Sequence, residues 1–154
     1  MNKKPLCIIK VSEVPLHLYQ IIAGFMLLEK QGLIDIKIEN SSRVLPYNMM
    51  EVCLDNKISI LYDVNDGYDN LTKKSEEYIE LYDSLLEKYD VCFKRSFSEA
   101  YNKKLKYGSK IQKLGLNYMV TIKRNLAHNI YKSDPNREKI KKLIRKIPGS
   151  QYYN

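Results

Sequence analysis

Short apolar runs that end in polar clusters are the feature of this sequence that most constrains its fold. Four such runs are predicted to be β-strands, and each continues directly into polar or turn-forming residues: Leu6–Val11, Ile58–Asp63, Val91–Phe93 and Ile111–Leu114. In an open α/β sheet the carboxyl ends of parallel strands share one edge, and ligands bind at that edge. The pattern therefore predicts a ligand-binding α/β domain.

Two helical patterns alternate with these strands. The run from Leu16 to Gln31 is apolar nearly all round and lies between Pro15 and Gly32, which suit the start and the end of a helix. A helix without a polar face is usually covered on both sides, which predicts that a further element or partner packs on it. A second helix is predicted over Leu71–Tyr89, with its core residues at helical spacing: Tyr78, Leu81, Tyr82, Leu85 and Leu86.

A hairpin is predicted where two strand-like runs meet at Asp55 and Asn56, residues that favour tight turns. Strands that alternate with helices are typical of βαβ units and a largely parallel sheet. The fold predicted for residues 1–125 is therefore α/β and Rossmann-like, with a largely parallel open sheet, one β-hairpin and helices on both faces. Residues 126–154 are predicted to form a basic helical C-terminal extension, with an amphipathic helix over Arg137–Ile147.

The net charge of +8 conceals a strong asymmetry along the 154-residue chain. Residues 1–93 hold ten basic and fifteen acidic side chains, whereas residues 94–154 hold sixteen basic and three acidic ones, a net charge of +13. A basic half attracts phosphates, in a nucleic acid, at an anionic membrane surface or on a substrate. The alternative is a solvated surface that only keeps the protein soluble.

The cysteines indicate a reducing compartment. Cys7, Cys53 and Cys92 each lie inside an apolar, strand-like run, and their spacing fits no zinc template. Their odd number also argues against a disulfide framework. We therefore expect three reduced cysteines in a cytoplasmic protein.

A cluster of carboxylates around a glycine follows the second of the four strands. Asp63, Asp66, Gly67 and Asp69 could bind a cation or the hydroxyls of a sugar. The alternative is a loop in which Asp caps the backbone and Gly supplies a positive φ. An EF-hand is excluded because its twelfth position holds Lys74 where a glutamate is needed, and no metal site is predicted.

An anion site is predicted after the third strand. Lys94, Arg95 and Ser96 supply two cations and a hydroxyl, which suit a phosphate or carboxylate group. Asn117 and Tyr118 follow the fourth strand and could add an amide and an aromatic ring to the same pocket. The alternative is a surface loop whose charges are solvated.

His17 is the candidate catalytic base. It lies where the first strand gives way to the first helix, so it faces the predicted ligand edge, where it could deprotonate an acceptor hydroxyl. The alternative is a structural histidine. The sequence contains no GxGxxG and no P-loop lysine motif, so NAD enzymes and P-loop NTPases fit poorly.

Three stretches carry a resemblance to a known family. They are Ile-Leu-Tyr-Asp-Val-Asn-Asp-Gly-Tyr-Asp at 60–69, Phe-Lys-Arg-Ser-Phe-Ser at 93–98 and Leu-Gly-Leu-Asn-Tyr at 114–118. Over roughly residues 5–120 the chain resembles the amino-terminal part of GT-B-type bacterial glycosyltransferases that serve surface-polysaccharide synthesis. That family has two Rossmann-like domains facing a cleft, of which the amino-terminal one holds the acceptor.

The resemblance implies the site, the cofactor and the partners. Asp66, Lys94, Arg95 and Asn117 would line the cleft from the acceptor side. The chain ends at Asn154, where the family's second domain begins, so a second domain or subunit is the expected partner and would hold the nucleotide-sugar donor. No cofactor is expected in this chain itself, and it is expected to be an incomplete enzyme alone.

The resemblance also implies a location. The acceptor would be a sugar or a lipid-linked sugar, and a cytoplasmic protein peripheral to the inner face of the membrane would meet it there. The basic helix Arg137–Ile147 would suit an anionic membrane surface; the alternative is a packed helix with a solvated basic face.

Two other functions remain open on the sequence. The basic half could form a nucleic-acid-binding module, with tyrosines stacking on bases, although no recognised binding motif is present. The chain could also be a non-catalytic interaction domain.

Overall fold

A computed structural model describes residues 3–11, 16–40, 45–46, 48–68, 75–116 and 122–127. Six strands and three α-helices lie in these residues, with short 3-10 helices at Leu16–Leu18 and Gly108–Lys110. In chain order the elements are β1 (Leu6–Val11), α1 (Tyr19–Lys30), β2 (Asp35–Asn40), β3 (Met49–Leu54), β4 (Ile58–Asp63), α2 (Ser75–Leu86), β5 (Val91–Lys94), α3 (Glu99–Asn102) and β6 (Ile111–Lys113).

The strands form one open sheet in the order β2-β1-β3-β4-β5-β6. Only β3 runs against its neighbours, since β1 is parallel to β2 and β4 is parallel to β5, as β5 is to β6. The predicted α/β fold with a largely parallel sheet is confirmed. The carboxyl ends of β1, β4, β5 and β6 and the amino end of β3 lie along one side of the sheet, which we call the carboxyl edge.

The sheet separates two apolar cores because side chains alternate between its faces. Ile60 and Leu61 show the alternation, since they are neighbours in β4 and belong to different cores. The helix α1 packs on one face through Tyr19 and Ile22, and α2 packs on the other through Tyr82 and Leu86. Helices therefore cover both faces, as predicted.

The predicted hairpin turn is confirmed between β3 and β4. The Lys57 N–H donates to the Leu54 carbonyl at 2.9 Å, which closes the turn around Asp55 and Asn56. Both central residues have positive φ, 51° and 55°. Tight hairpin turns of this hand require such angles, and Asp and Asn tolerate them better than most residues.

Part of α1 is covered by the chain's own residues 125–127. The Asn125 side-chain amide donates to the Tyr19 carbonyl at 2.9 Å, and Ala127 is buried in the same core. The expectation that something packs on this helix is therefore met in part from within the chain.

One predicted core position is wrong and several predictions lie outside the described residues. Leu81 is exposed because the α2 stripe that faces the sheet centres on Tyr82 and Leu86. The basic helix Arg137–Ile147 and most of the predicted extension 126–154 lie outside the residues that the structure describes.

Gly108 offers a test of packing. A Cβ atom at this buried position would overlap the Asn102 carbonyl oxygen. Gly108→Ala should therefore force a backbone shift and lower the free energy of unfolding by about 1–3 kcal/mol, measured by urea denaturation. In the control Gly24→Ala, nothing lies within 4 Å of the new methyl group. Because Gly24 lies within α1, that variant should gain about 0.5–1 kcal/mol. Equal stability of the two variants would contradict this packing.

The cysteines offer a second test. Burial raises the pKa of Cys7 to about 11 and that of Cys92 to about 12. Both thiols therefore stay protonated at about pH 8 and should resist an aromatic disulfide reagent, which reacts with thiolates. Half-buried Cys53 is the one expected to react in the folded protein, and all three should react in denaturant. Fast reaction of all three without denaturant would contradict the burial.

Candidate functional site at the carboxyl edge of the sheet

Residues from three connections of the sheet meet at the carboxyl edge. His17 comes from the connection after β1, Asp66 from the loop after β4, and Arg95 from the residue that follows β5. Gly67, with a φ of 88°, continues the Asp66 loop, and Ser96 continues from Arg95. The predicted residues Asp69, Asn117 and Tyr118 lie outside the described residues.

Arg95 is the centre of this arrangement. Its Nη1 lies 3.4 Å from His17 Nδ1 and 3.4 Å from Asp66 Oδ1. The Arg95 side chain is 16% exposed, whereas that of Asp66 is 80% exposed. Arg95 Nε is buried and has no hydrogen-bond partner in the part of the chain that the structure describes. A largely buried guanidinium with donor capacity to spare is suited to an anionic ligand.

The contact with Arg95 bears on the predicted role of His17. A guanidinium has no acceptor, so His17 Nδ1 accepts from Arg95, and the proton of a neutral ring is then on Nε2. In this arrangement neither ring nitrogen offers a base to a substrate hydroxyl. The geometry supports a positioning role for His17 beside Arg95, and general-base catalysis stays a prediction.

Side chains alternate between the two faces along β5, so Lys94 and the following Arg95 lie in different surroundings. Lys94 points into the α2 side of the sheet, whereas Arg95 turns toward His17, ahead of α1. The Arg95 N–H donates to the Asp63 carbonyl at 2.9 Å, which extends the contact between the β4 and β5 ends by one residue. The two adjacent cations that the sequence placed in one pocket therefore have separate environments.

Asp63 and Lys94 form a buried ion pair. Both side chains are fully buried, and Lys94 Nζ donates to Asp63 Oδ2 at 2.8 Å. Tyr82 donates to the same oxygen at 2.6 Å. The backbone N–H and the side-chain amide of Asn65 each donate to Asp63 Oδ1 at 2.9 Å. With no exposed surface, these two predicted ligand-binding residues are placed to support the edge rather than to touch a ligand on it.

Aromatic rings complete the environment of Lys94. Its Nζ lies 4.5 Å from the ring centroid of Tyr68 and 5.6 Å from that of Tyr82. Burial, together with the nearby Asp63 carboxylate, raises the pKa of Tyr82 far above its usual value, so its hydroxyl remains a donor. Tyr68 donates to Asn102 Oδ1 at 2.6 Å and accepts from the Ser98 N–H at 3.1 Å, which ties α3 to this network.

Sequence reasoning missed Asn48 and Asn65. Asn48 has a φ of 63°, and its amide donates to Asn65 Oδ1 at 3.2 Å. Its own Oδ1 is buried without a hydrogen-bond partner among the described residues. The predicted hairpin could have identified Asn48. A strand antiparallel to β4 must begin at the edge where β4 ends, so the residue that precedes β3 lies at the carboxyl edge.

The site offers donors for an anion rather than ligands for a metal. Within the described ranges, no group of three or more His, Cys, Asp or Glu residues is placed to hold a metal ion. Asp66 is the exposed carboxylate, and it already contacts a cation. The arrangement can bind and orient a phosphate or carboxylate group through the Arg95 guanidinium.

The basic residues after β5 are partly committed to the fold. Lys104 lies 4.8 Å from the ring centroid of Tyr101, and Lys106 lies 4.8 Å from that of Tyr107. Lys110 Nζ donates to the Tyr89 carbonyl at 2.7 Å and to the Leu86 carbonyl at 3.0 Å, which caps the end of α2. The lysines therefore lie over two of the rings that base stacking would need.

Comparison with models of protein families, with curated proteins and with solved structures found no significant match. Across the described residues, the helices are too short or too polar to cross a membrane.

The buried ion pair leads to a test. Lys94→Met would leave the Asp63 carboxylate buried without a counterion, which should cost about 3–5 kcal/mol of unfolding free energy, measured by urea denaturation. Asp63→Asn with Lys94→Met removes both charges and should cost clearly less than the two single changes added together. Additive losses would show that the two side chains do not interact.

Proposed function

We propose that this chain binds a phosphate- or pyrophosphate-bearing ligand at the carboxyl edge of its sheet, as the Rossmann-like acceptor-side domain of a bacterial glycosyltransferase. The single observation that carries the anion site is Arg95, which is largely buried and has an Nε without a partner among the described residues. A desolvated guanidinium is expensive to bury unless an anion meets it. The exposed carboxylate of Asp66 meets it only at 3.4 Å.

The position of Arg95 in the sheet supports the same proposal. The connection after β1 and the ends of β4 and β5 converge on it, although β3 separates β1 from β4 in the sheet. The two crossovers also run in opposite directions, since β1 connects through α1 to β2 on one side of the sheet, whereas β4 connects through α2 to β5 on the other. Open α/β sheets bind ligands outside the strand ends where the strand order reverses in this way.

The glycosyltransferase part of the proposal rests on the resemblance of residues 60–69, 93–98 and 114–118 to that family. Two of these stretches contribute Asp66 and Arg95 to the site. A sugar acceptor linked through a pyrophosphate would present its charge to Arg95. The nucleotide-sugar donor would be bound by a second domain or subunit, and the complex would work at the inner face of the membrane.

Binding of inorganic pyrophosphate tests the site directly. Arg95→Gln should weaken binding at least about tenfold, because it removes charge-assisted hydrogen bonds. Lys57→Gln is the control, since Lys57 is exposed at the hairpin turn on the opposite edge and its loss changes the net charge equally. Isothermal titration calorimetry at fixed ionic strength measures both. Equal affinity of Arg95→Gln and the unmodified protein would contradict the site.

Sugar transfer tests the class of protein. The tagged chain is recovered from its native cells with whatever accompanies it, and transfer from nucleotide sugars to a lipid-linked acceptor is assayed. We expect a second α/β subunit or domain in the active preparation and loss of transfer in Arg95→Gln. Unchanged transfer in that variant would contradict the acceptor-side role. Pyrophosphate binding without any transfer would favour a non-catalytic interaction domain.

Nucleic-acid binding is the second candidate function, because the residues after β5 are mostly basic where they are charged. Residues 94–116 hold seven basic side chains and one acidic one. Such binding would weaken steeply with salt, through release of counterions. It would also depend on exposed lysines such as Lys103 and Lys104 rather than on Arg95.

A further inference from the structure

Asp66 makes a loose contact with Arg95. Their 3.4 Å separation is long for a charge-assisted N–H···O bond, which usually spans about 2.7–2.9 Å. The Asp63–Lys94 pair in the same protein reaches 2.8 Å. Asp66 is also 80% exposed, so water screens its attraction to the guanidinium.

We propose that the Asp66 carboxylate pairs with Arg95 when no ligand is bound, and that the anionic group of the ligand binds by displacing this carboxylate. This inference rests on the proposed function, since it concerns the same anion site. The sequence suggested that Asp66 holds a ligand through its carboxylate. In the arrangement observed, that carboxylate would instead repel the anion that Arg95 attracts.

The Asp66 loop can release its side chain without unfolding. The preceding residue, Asn65, is fixed by hydrogen bonds from its backbone N–H and its side-chain amide to Asp63, both at 2.9 Å. Asp63 is itself buried and paired with Lys94. Rotation of the Asp66 side chain is therefore enough to break its contact with Arg95 Nη1, and the backbone on its amino-terminal side stays in place.

A tethered carboxylate lowers the affinity of the site for every anion by the same factor, because each anion must displace the same contact. A ligand carboxylate carries one charge and only replaces Asp66 by a similar group. A phosphate or pyrophosphate group carries more charge and more acceptor oxygens, so it competes better for the guanidinium. Arg95 therefore sets the preference for phosphate-bearing ligands over carboxylates, and Asp66 lowers the affinity for both.

The sign of one substitution separates this role from direct ligand binding. Asp66→Asn keeps the size of the side chain and removes its charge. If Asp66 competes with the ligand, inorganic pyrophosphate should bind Asp66→Asn about two- to fivefold more tightly than it binds the unmodified protein. This factor corresponds to the free energy of an exposed ion pair. Acetate should gain by a similar or smaller factor, because it must displace the same contact and the Asp66 carboxylate repels it less.

The experiment uses the full chain at fixed ionic strength, with nuclear magnetic resonance titrations that follow the Arg95 Nε–H signal. Asp35→Asn is the control for net charge, because Asp35 is exposed at the start of β2 on the opposite edge. This control should match the unmodified protein. Weaker or unchanged pyrophosphate binding by Asp66→Asn would overturn the displacement.

Arg95→Gln separates this inference from the proposed function. If Arg95→Gln loses pyrophosphate binding and Asp66→Asn fails to tighten it, the site stands and the displacement by the ligand is wrong. If Arg95→Gln binds pyrophosphate as well as the unmodified protein does, the proposed site itself is wrong, and the displacement falls with it.

Discussion

The ion pair between Asp63 and Lys94 is the interaction on which the rest of the site depends. Two opposite charges at the ends of neighbouring parallel strands are fully buried, which costs several kcal/mol per ion unless both are well satisfied. Here the carboxylate accepts hydrogen bonds from Lys94, from Tyr82 and from Asn65. The pair therefore fixes the ends of β4 and β5 relative to α2 and to the loop after β4.

The geometry of the carboxyl edge follows from that constraint. Once Lys94 is held on the α2 side, alternation along β5 directs Arg95 to the other side, where His17 meets it. Asn65 is anchored to Asp63, and through its own side chain it holds Asn48, ahead of β3. Residues that are far apart in the sequence thus reach one small region because a buried pair aligns the strands that carry them.

The sequence patterns predicted the elements well and their lateral arrangement poorly. The four strands that end in polar residues and the hairpin turn at Asp55 and Asn56 follow from local residue preferences, and the structure confirms them. The insertion of β3 between β1 and β4 depends on pairing between strands, which local patterns do not encode. For the same reason, Asp63 and Lys94 were predicted as ligand residues.

The sequence does not show which polar residues are buried in an ion pair and which remain at the carboxyl edge. Asp63 pairs with Lys94 across a separation of 31 residues, and only the register of β4 against β5 brings them together. Arg95 is also basic and directly follows Lys94 in the sequence, yet its side chain lies at the carboxyl edge. A pattern of polar residues after strands locates such an edge but does not show which of its charges neutralise each other.

The antiparallel strand at the centre of the sheet also bears on the order in which the chain folds. The β3–β4 hairpin joins residues that are close in sequence, so it closes a short loop and forms fast, on the order of microseconds. Two strands alone are marginally stable in water, so the hairpin persists only once β1 docks on it. We therefore expect folding to start at the centre of the sheet, with the parallel edge strands β2 and β6 added last.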